Sequence, residues 1–383
     1  MLLRITLLFL LLTVLPTALL SLSLPRRHRR FLLWLPALVL LAGAVFLFFG
    51  AGYISTQPSV WRTRLQTAII FMALPQLSLA FFLLIGKLFN GKIRRAIHIS
   101  GGLSAILLIV LQIYGLTVGQ SRITTREFVV ADKRIPAAFD GYRIALLSDL
   151  HVGTHHADST AMARKIEAVN ATRPDLICFL GDLVNFSEGE LTEFIPQLSR
   201  LRAADGVLSV MGNHDFLIYD ATFTPDERAI HVRKLQAIQR EMGWKLLLNE
   251  NFKIRRGADS LVIIGVENDG EPPMPQRADL PRALLGTDSS AYRILLTHDP
   301  THWQRAIVGR HDIPLTFSGH THGMQFALPG GWSPAAWRYE EWKGLYTAGY
   351  QRLFITTGLG ENTIPFRLNM PPEVAVCTLR HID

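Results

Sequence analysis

Acidic side chains are missing from the first third of this chain. Residues 1–126 hold 13 Lys and Arg and no Asp or Glu. The rest carries 26 basic and 31 acidic residues, a net of −5, so the formal charge of +8 belongs to the N-terminal part alone. That division argues for membrane topology and against a nucleic-acid partner, because the acidic part lacks a basic stripe with interleaved aromatics. Cysteine is scarce as well. Cys178 and Cys377 are the only two, without a CxxC pair, which excludes a disulfide framework and argues against a structural zinc site. Cys178 lies in the apolar run LICFL and reads as a small buried hydrophobe. Tandem repeats and low-complexity segments are also lacking, and 383 residues allow two or three domains.

Long apolar runs fill the acid-free part. Four stretches, at 2–24, 31–54, 65–86 and 101–120, contain Arg4 as their one charge. Each is close to the ~20 residues that cross a bilayer as a helix. Four transmembrane helices over residues 1–120 are therefore expected, then a linker at 121–126. A cleaved signal peptide is the alternative for the first stretch. A transporter built from these spans would want acidic or paired charges inside them, and there are none. Arg26, Arg27, Arg29 and Arg30 separate the first two stretches, and Lys87, Lys92, Arg94 and Arg95 the last two. Only Arg62 and Arg64 lie in the loop between. The positive-inside bias places the four-charge loops in the cytoplasm and everything after residue 120 on the outer face of a plasma or inner membrane.

From residue 127 the composition is that of a soluble domain. Apolar runs at 143–148, 175–180, 206–211, 260–266, 292–297, 314–319 and 352–357 predict strands covered on both faces. A helix carrying Met162, Ile166 and Val169 lies between the first two. A second helix has Thr224 as N-cap, Pro225 at its first position and Glu227 completing a capping box; it turns Leu235, Ile238 and Met242 inward and stops at Gly243. Strands with interleaved helices indicate one layered α/β domain over 127–383.

Five short segments carry the chemistry: SDLH with Asp149 and His151, GDLVN with Asp182, GNHD with Asn213, His214 and Asp215, LTHD with His298, and GHTHG with His320 and His322. Taken singly, an Asp behind a strand is an N-cap or turn residue, and a lone His is a packed or surface residue. Most of the segments follow an apolar run directly, so as a set their side chains converge on the crevice where α/β sheets bind substrates. Carboxylate and imidazole together suit Mn²⁺, Fe²⁺ or Zn²⁺. The amide of Asn213 adds an oxygen donor without another negative charge, and glycines beside Asp182, Asn213 and His320 permit tight turns.

This series resembles the calcineurin-like metallophosphoesterase superfamily over residues 127–383. The resemblance implies an αββα sandwich with two divalent metal ions at one edge, Mn²⁺ first among them and Fe²⁺ or Zn²⁺ as alternatives. It further implies that Asp149, His151 and His322 hold one ion, that Asn213, His298 and His320 hold the other, and that Asp182 bridges them. His214 would contact the phosphate and assist the leaving oxygen, with Asp215 orienting it. Asn185 departs from the acid common at its position and would tune metal affinity.

The apolar spans and the ending GLGENTIPFRLNMPPEVAVCTLR resemble a membrane-attached YaeI/YkuE-like phosphodiesterase branch. That implies a lipid bilayer as partner and a phosphodiester or pyrophosphate substrate, either a small molecule or a nucleotide-linked lipid such as UDP-2,3-diacylglucosamine, a lipid A precursor. A phosphodiesterase or phosphatase for soluble nucleotides, or a non-catalytic membrane receptor or scaffold, are the alternatives. Trp332, Trp337, Tyr339, Trp342, Tyr346 and Tyr350 crowd the segment after GHTHG. A packed corner is the plainer reading of them, and an aromatic lid or interfacial patch for a lipid substrate the other. His155, His156 and His302 read as loop residues.

Overall fold

Apolar side chains that alternate along each strand decide how the larger unit layers. The computed structural model describes residues 2–23, 34, 37–43, 58–155, 158–220, 222–272, 274–288 and 290–383. They fall into two compact units, Met1–Val118 with Thr363–Phe366, and Gly119–Asn362 with Arg367–Asp383.

The first unit is helical: α1 (Leu2–Ser23), α2 (Pro58–Gly86) and α3 (Gly91–Tyr114), the last continued by a π-helical turn at Gly115–Gly119. Polar side chains stitch the apolar helices together. Thr17 Oγ1 donates to Gln76 Oε1 at 3.1 Å, and the hydroxyls of Ser78 and Ser104 lie 2.8 Å apart. A Cβ at Gly101 would collide with Phe82, so this glycine lets α2 and α3 approach closely. Among the described residues, only two helices are long and apolar enough to cross a membrane, within Thr63–Gly86 and Gly91–Gly119, and not the four expected. The first stretch yields only a shorter apolar helix, Leu11–Ser23, and most of the second lies outside the described residues. The last span begins ten residues before the expected 101, because Lys92, Arg94 and Arg95 continue a helix although they end an apolar run.

The second unit holds two six-stranded mixed sheets. One has the order β1 (Thr124–Ala131), β12 (Glu373–Arg380), β2 (Arg143–Leu147), β3 (Leu176–Phe179), β4 (Val207–Ser209), β5 (Lys245–Leu246). The other runs β10 (Gly344–Ala348), β11 (Gln351–Ile355), β9 (Leu315–Ser318), β8 (Tyr292–Leu296), β7 (Asp259–Gly265), β6 (Glu250–Arg256). Strands β2 to β5 are mutually parallel, as are β7, β8, β9 and β11. All seven expected strands are present; the shorter or more polar β1, β5, β6 and β10 and the long buried β12, which was not expected, complete the sheets.

Successive residues serve different layers, as a period of two requires. Ile144 and Leu146 pack with Ile263, Ile294 and Phe317 between the sheets, in the layer that also buries Cys178 and Cys377. Ala145 and Leu147 face the other way, onto Met162, Ile166 and Val169 of α4 (Ser159–Ala171) and Leu235 of α5 (Pro225–Glu241). On the far side, Val262, Ile264 and Leu295 meet Trp303, Ile307 and Leu280. A slip of one residue would turn every strand inside out, so burial on both faces fixes the register. The α5 capping box forms as its sequence predicts: Glu227 N donates to Thr224 Oγ1, and Thr224 N donates to Glu227 Oε2.

Candidate metal centre

Parallel strands end at a common edge, and the five motifs leave there. Asp149 and His151 follow β2, Asp182 follows β3 and Asn213–Asp215 follow β4; His298 follows β8, and His320 with His322 follow β9. Both sheets thus contribute, and six of the seven predicted ligands fall into overlapping donor groups about Asp182, five of them buried and His320 half-buried, with Asn213 buried beside His214 in the chain. The backbone here is unusual. Asp149, His151, Asp182, His320 and His322 have φ of 56°, 43°, 57°, 71° and 51°, the left-handed region that side chains with a Cβ avoid. Each such residue costs on the order of 1 kcal/mol, held in place by its surroundings. Gly181, at φ 99°, turns β3 into Asp182, and a Cβ at Gly319 would strike Ser148 and Asp149. Backbone bonds lock the loops together: Asp149 N to the Gly181 carbonyl at 2.9 Å, His320 N to Asp149 Oδ2 at 3.0 Å, and Gly360 N to the Asp149 carbonyl at 2.9 Å.

The donor atoms face one another. His151 Nε2 and His322 Nε2 are 3.1 Å apart, with Asp149 Oδ1 at 3.3 Å from His322 Nε2 and Asp182 Oδ2 at 3.6 Å from His151 Nε2. On the other side of Asp182, its Oδ2 lies 3.2 Å from His298 Nε2, which in turn is 3.2 Å from His320 Nδ1. Two ligands about 2.1 Å from one ion at tetrahedral or octahedral angles stand about 3.0–3.4 Å apart. Asp149 Oδ1 and Asn213 Oδ1 are buried without a hydrogen-bond partner, an arrangement that is costly unless a cation completes it. The residues fit two metal ions that share Asp182.

Neighbours aim these side chains. His298 Nδ1 donates to the Leu180 carbonyl at 2.8 Å, which leaves Nε2 as the donor. Tyr339 Oη stands 3.2 Å from His320 Nε2, so Nδ1 points at His298. Asn213 Nδ2 donates to Tyr219 Oη at 2.9 Å and leaves Oδ1 toward the cluster. Burial opposes ionisation of Asp182, yet His298, His214 and His151 hold it well below the usual carboxylate range. Burial alone would lower His298; Asp182 outweighs it and pushes the imidazole up to about 10.

His214 and Asp215 require a correction. Asp215 makes no bond to the His214 ring; it accepts from the backbone N–H of Asp182, Leu183 and Gly212 at 2.8–2.9 Å and so braces the GDLV and GNHD turns. Burial, then repulsion from Asp182, push its carboxyl up to about 7. The ring of His214 is oriented by the Asn185 carbonyl, 2.8 Å from Nδ1, and by the Asn362 amide, 3.2 Å from Nε2, and it stacks on Tyr219 at 4.2 Å between centroids. Asn185 therefore acts through its main chain, while its side chain donates to Thr154 Oγ1 at 2.8 Å.

Behind the cluster, the fully buried Arg367 donates to the carbonyls of Thr357, Gly358, Gly360 and Met370, and ion-pairs with Glu361 at 3.3 Å. Glu361 is also 3.7 Å from the buried Lys165 Nζ, which burial lowers to about 8. Tyr219, Asn362, Glu361, Arg367 and Lys165 escaped the sequence reading. Arg367, alone in IPFRLNM shortly after the Glu of GLGENT, was the available signal; Lys165, beside Arg164, carried none. His302 is buried against Thr297 and takes no part in the cluster, the His155 side chain is not described, and His156 lies outside the described residues. The aromatic segment divides: Tyr339 turns to His320, whereas Trp332 and Trp337, edge to face at 4.8 Å, stay 39% and 80% exposed.

The profile of the family described as calcineurin-like phosphoesterase matches residues 142–324. The chain is 28% identical over 269 residues to the uncharacterized metallophosphoesterase YkuE of Bacillus subtilis, covering 67% of this chain and 86% of that protein. It is 28% identical to a transmembrane protein with metallophosphoesterase domain of Danio rerio, over 73% of this chain and 62% of that one. For the Bos taurus protein of the same name the identity is 29%, over 75% and 64%. The chain thus spans a little under two thirds of the two vertebrate proteins.

Proposed function

The chain carries a calcineurin-like phosphoesterase domain and is a metallophosphoesterase, a hydrolase of phosphoester bonds; from that premise we propose a membrane-anchored enzyme that uses two divalent ions to cleave a phosphodiester or pyrophosphate bond. In this reading Asp149, His151 and His322 hold one ion, Asn213, His298 and His320 the other, and Asp182 serves both. The observation that carries it is the pair of facing nitrogens, His151 with His322 and His298 with His320, on either side of one carboxylate. Imidazole and carboxylate without thiolate suit Mn²⁺, with Fe²⁺ and Zn²⁺ as alternatives. When bound, such a pair lowers the pKa of a water and neutralises charge that develops on the phosphorus oxygens.

The chain's own groups do the rest. His214 presents Nε2, because Nδ1 faces the Asn185 carbonyl, and burial lowers its pKa. In the neutral ring the proton sits on Nδ1, so Nε2 first takes a proton from solvent water and then passes it to the leaving oxygen, and the Asn362 amide beside it sets its position. Asp215 keeps the two turns in register by holding their amides.

Helices α2 and α3 anchor the chain in a plasma or inner membrane as part of a multi-pass region. Lys87, Lys92, Arg94 and Arg95 around their connection support a cytoplasmic loop and an outward-facing catalytic domain. The exposed Trp332 and Trp337, with Leu328 46% exposed, support an amphiphilic substrate whose apolar part rests on them. A nucleotide-linked lipid such as UDP-2,3-diacylglucosamine has that character. The full chain in detergent, supplied with Mn²⁺, should hydrolyse bis(p-nitrophenyl) phosphate and should turn over a micellar nucleotide-linked lipid with higher kcat/KM. Equal rates on a soluble nucleotide diester would remove the lipid preference, and no metal-dependent hydrolysis of any of them would remove the enzyme.

A further inference from the structure

A cavity of about 690 Å³ lies between α5 and the segment 275–277, floored by Phe216 and Ile218. It belongs to neither proposed ion nor to the aromatic pair. That volume is in the range of small-molecule sites, about 300–1,000 Å³. Its lining holds three arginines, Arg228, Arg233 and Arg277, and no carboxylate. Arg228 is committed, donating to the carbonyls of Leu217, Asp220 and Phe223 at 3.1–3.3 Å. Arg277 lays its guanidinium over the Phe216 ring at 4.9 Å, which fixes its plane while the side chain stays exposed; Glu267, which feels its charge, is tied to Asn249 Nδ2 at 2.8 Å. Arg233, from α5, lines the same space.

The cavity is one turn of chain from the metal centre. Asn213 and Phe216 are three peptide links apart, so their Cα atoms are separated by at most about 11 Å. Between them His214 and Asp215 are buried toward the ligands, and Leu217, at φ 54°, turns the chain so that Phe216 and Ile218 reach the cavity. Asn213 Nδ2 donates to Tyr219 Oη, which meets Met274 Sδ at 3.0 Å beside Pro275 of the lining, so the groove adjoins the metal centre.

The geometry points to a second subsite, which takes the part of the substrate beyond the scissile phosphorus: an apolar or aromatic group that carries a further anionic charge. This rests on the hydrolase reading above and adds a reason for the enzyme to prefer a pyrophosphate-type substrate over a simple diester. Arg233 and Arg277 would bind the second anion, while Ile218 and Val232 would cover the apolar group.

The test uses the full chain in detergent with Mn²⁺, and ADP-ribose as a probe with a second phosphate. Hydrolysis of bis(p-nitrophenyl) phosphate reports the metal centre independently. ADP-ribose should inhibit that hydrolysis competitively, and the double variant Arg233→Gln, Arg277→Gln should raise its inhibition constant about tenfold or more. The same variant should leave kcat and KM for bis(p-nitrophenyl) phosphate within about twofold, and Arg233→Lys with Arg277→Lys should restore most of the inhibition. No inhibition of the wild type, or the same inhibition constant in wild type and Gln variant, would overturn the subsite. Failure of the wild type to hydrolyse bis(p-nitrophenyl) phosphate would instead count against the hydrolase reading.

Discussion

Two residues separate Leu146 from Asp149, and between them the rules of construction reverse. Leu146 is wholly buried in the layer between the sheets, among apolar neighbours supplied by both, on extended backbone whose ladder bonds are made. Asp149 is equally buried, but in left-handed backbone, with a buried carboxylate oxygen that makes no hydrogen bond and faces His322 at 3.3 Å. Five of the seven proposed ligands share that backbone. The interior of the sandwich is thus built for its own stability, and its carboxyl edge is held in a costly arrangement that the interior makes tolerable. Substitutions in the two regions should therefore have opposite signatures.

The largest effect is expected at the edge. Asp182→Ala should reduce turnover by roughly a thousandfold or more, on the order of 4 kcal/mol of transition-state stabilisation, and lower bound metal. Stability of the metal-free protein should fall by much less than for a core truncation, read by thermal unfolding in chelator. Leu146→Ala should reverse the pattern, costing about 2–5 kcal/mol of stability while kcat per folded molecule stays close to wild type. If Leu146→Ala removed activity without lowering the melting temperature, the division between the two regions would fail.

A smaller effect tests the edge without touching a proposed ligand. Asn362→Ala should lower kcat by about ten- to a hundredfold for an ester with a poor leaving group, and far less for a p-nitrophenyl ester, at unchanged metal content. Equal losses for both esters would mean that Asn362 supports the loop rather than the proton donor.

The smallest prediction concerns pH. Glu190 accepts from the backbone of Asn185 and Phe186, and burial pushes its carboxyl up to about 7 from the ordinary 4.5. The folded state thus holds that proton more tightly than the unfolded chain does. The stabilisation is complete below about 4.5 and is lost as pH rises through about 7. Between pH 5 and 8 the wild type should lose stability relative to Glu190→Gln, and parallel melting curves across that window would refute the assignment.

What could be read in advance follows the same division. Seven strands were legible because burial on both faces leaves a run of Val, Ile, Leu and Phe, and α5 was legible because its capping box is local; β12, just as buried, was missed. Strands such as β5, two residues long, and β10, half exposed, leave no such run. The five motifs marked which side chains meet, since a strand end fixes where its next residues go. They could not mark the partners of His214. The choice of Asn185 and Asn362 over Asp215 is made by contacts across 29 and 148 residues of sequence. The start of the last membrane span was misplaced for a related reason: apolarity bounds what a bilayer accepts, and a helix runs on through charged residues.

The central claim is that one carboxylate joins two ions. Titrating the metal-free full chain with Mn²⁺ and recording its electron paramagnetic resonance tests this most directly. Two equivalents per chain should give the spectrum of an exchange-coupled Mn²⁺ pair, and Asp182→Ala should convert it to that of isolated ions. A single uncoupled Mn²⁺ at saturation, with full hydrolytic activity, would contradict the account.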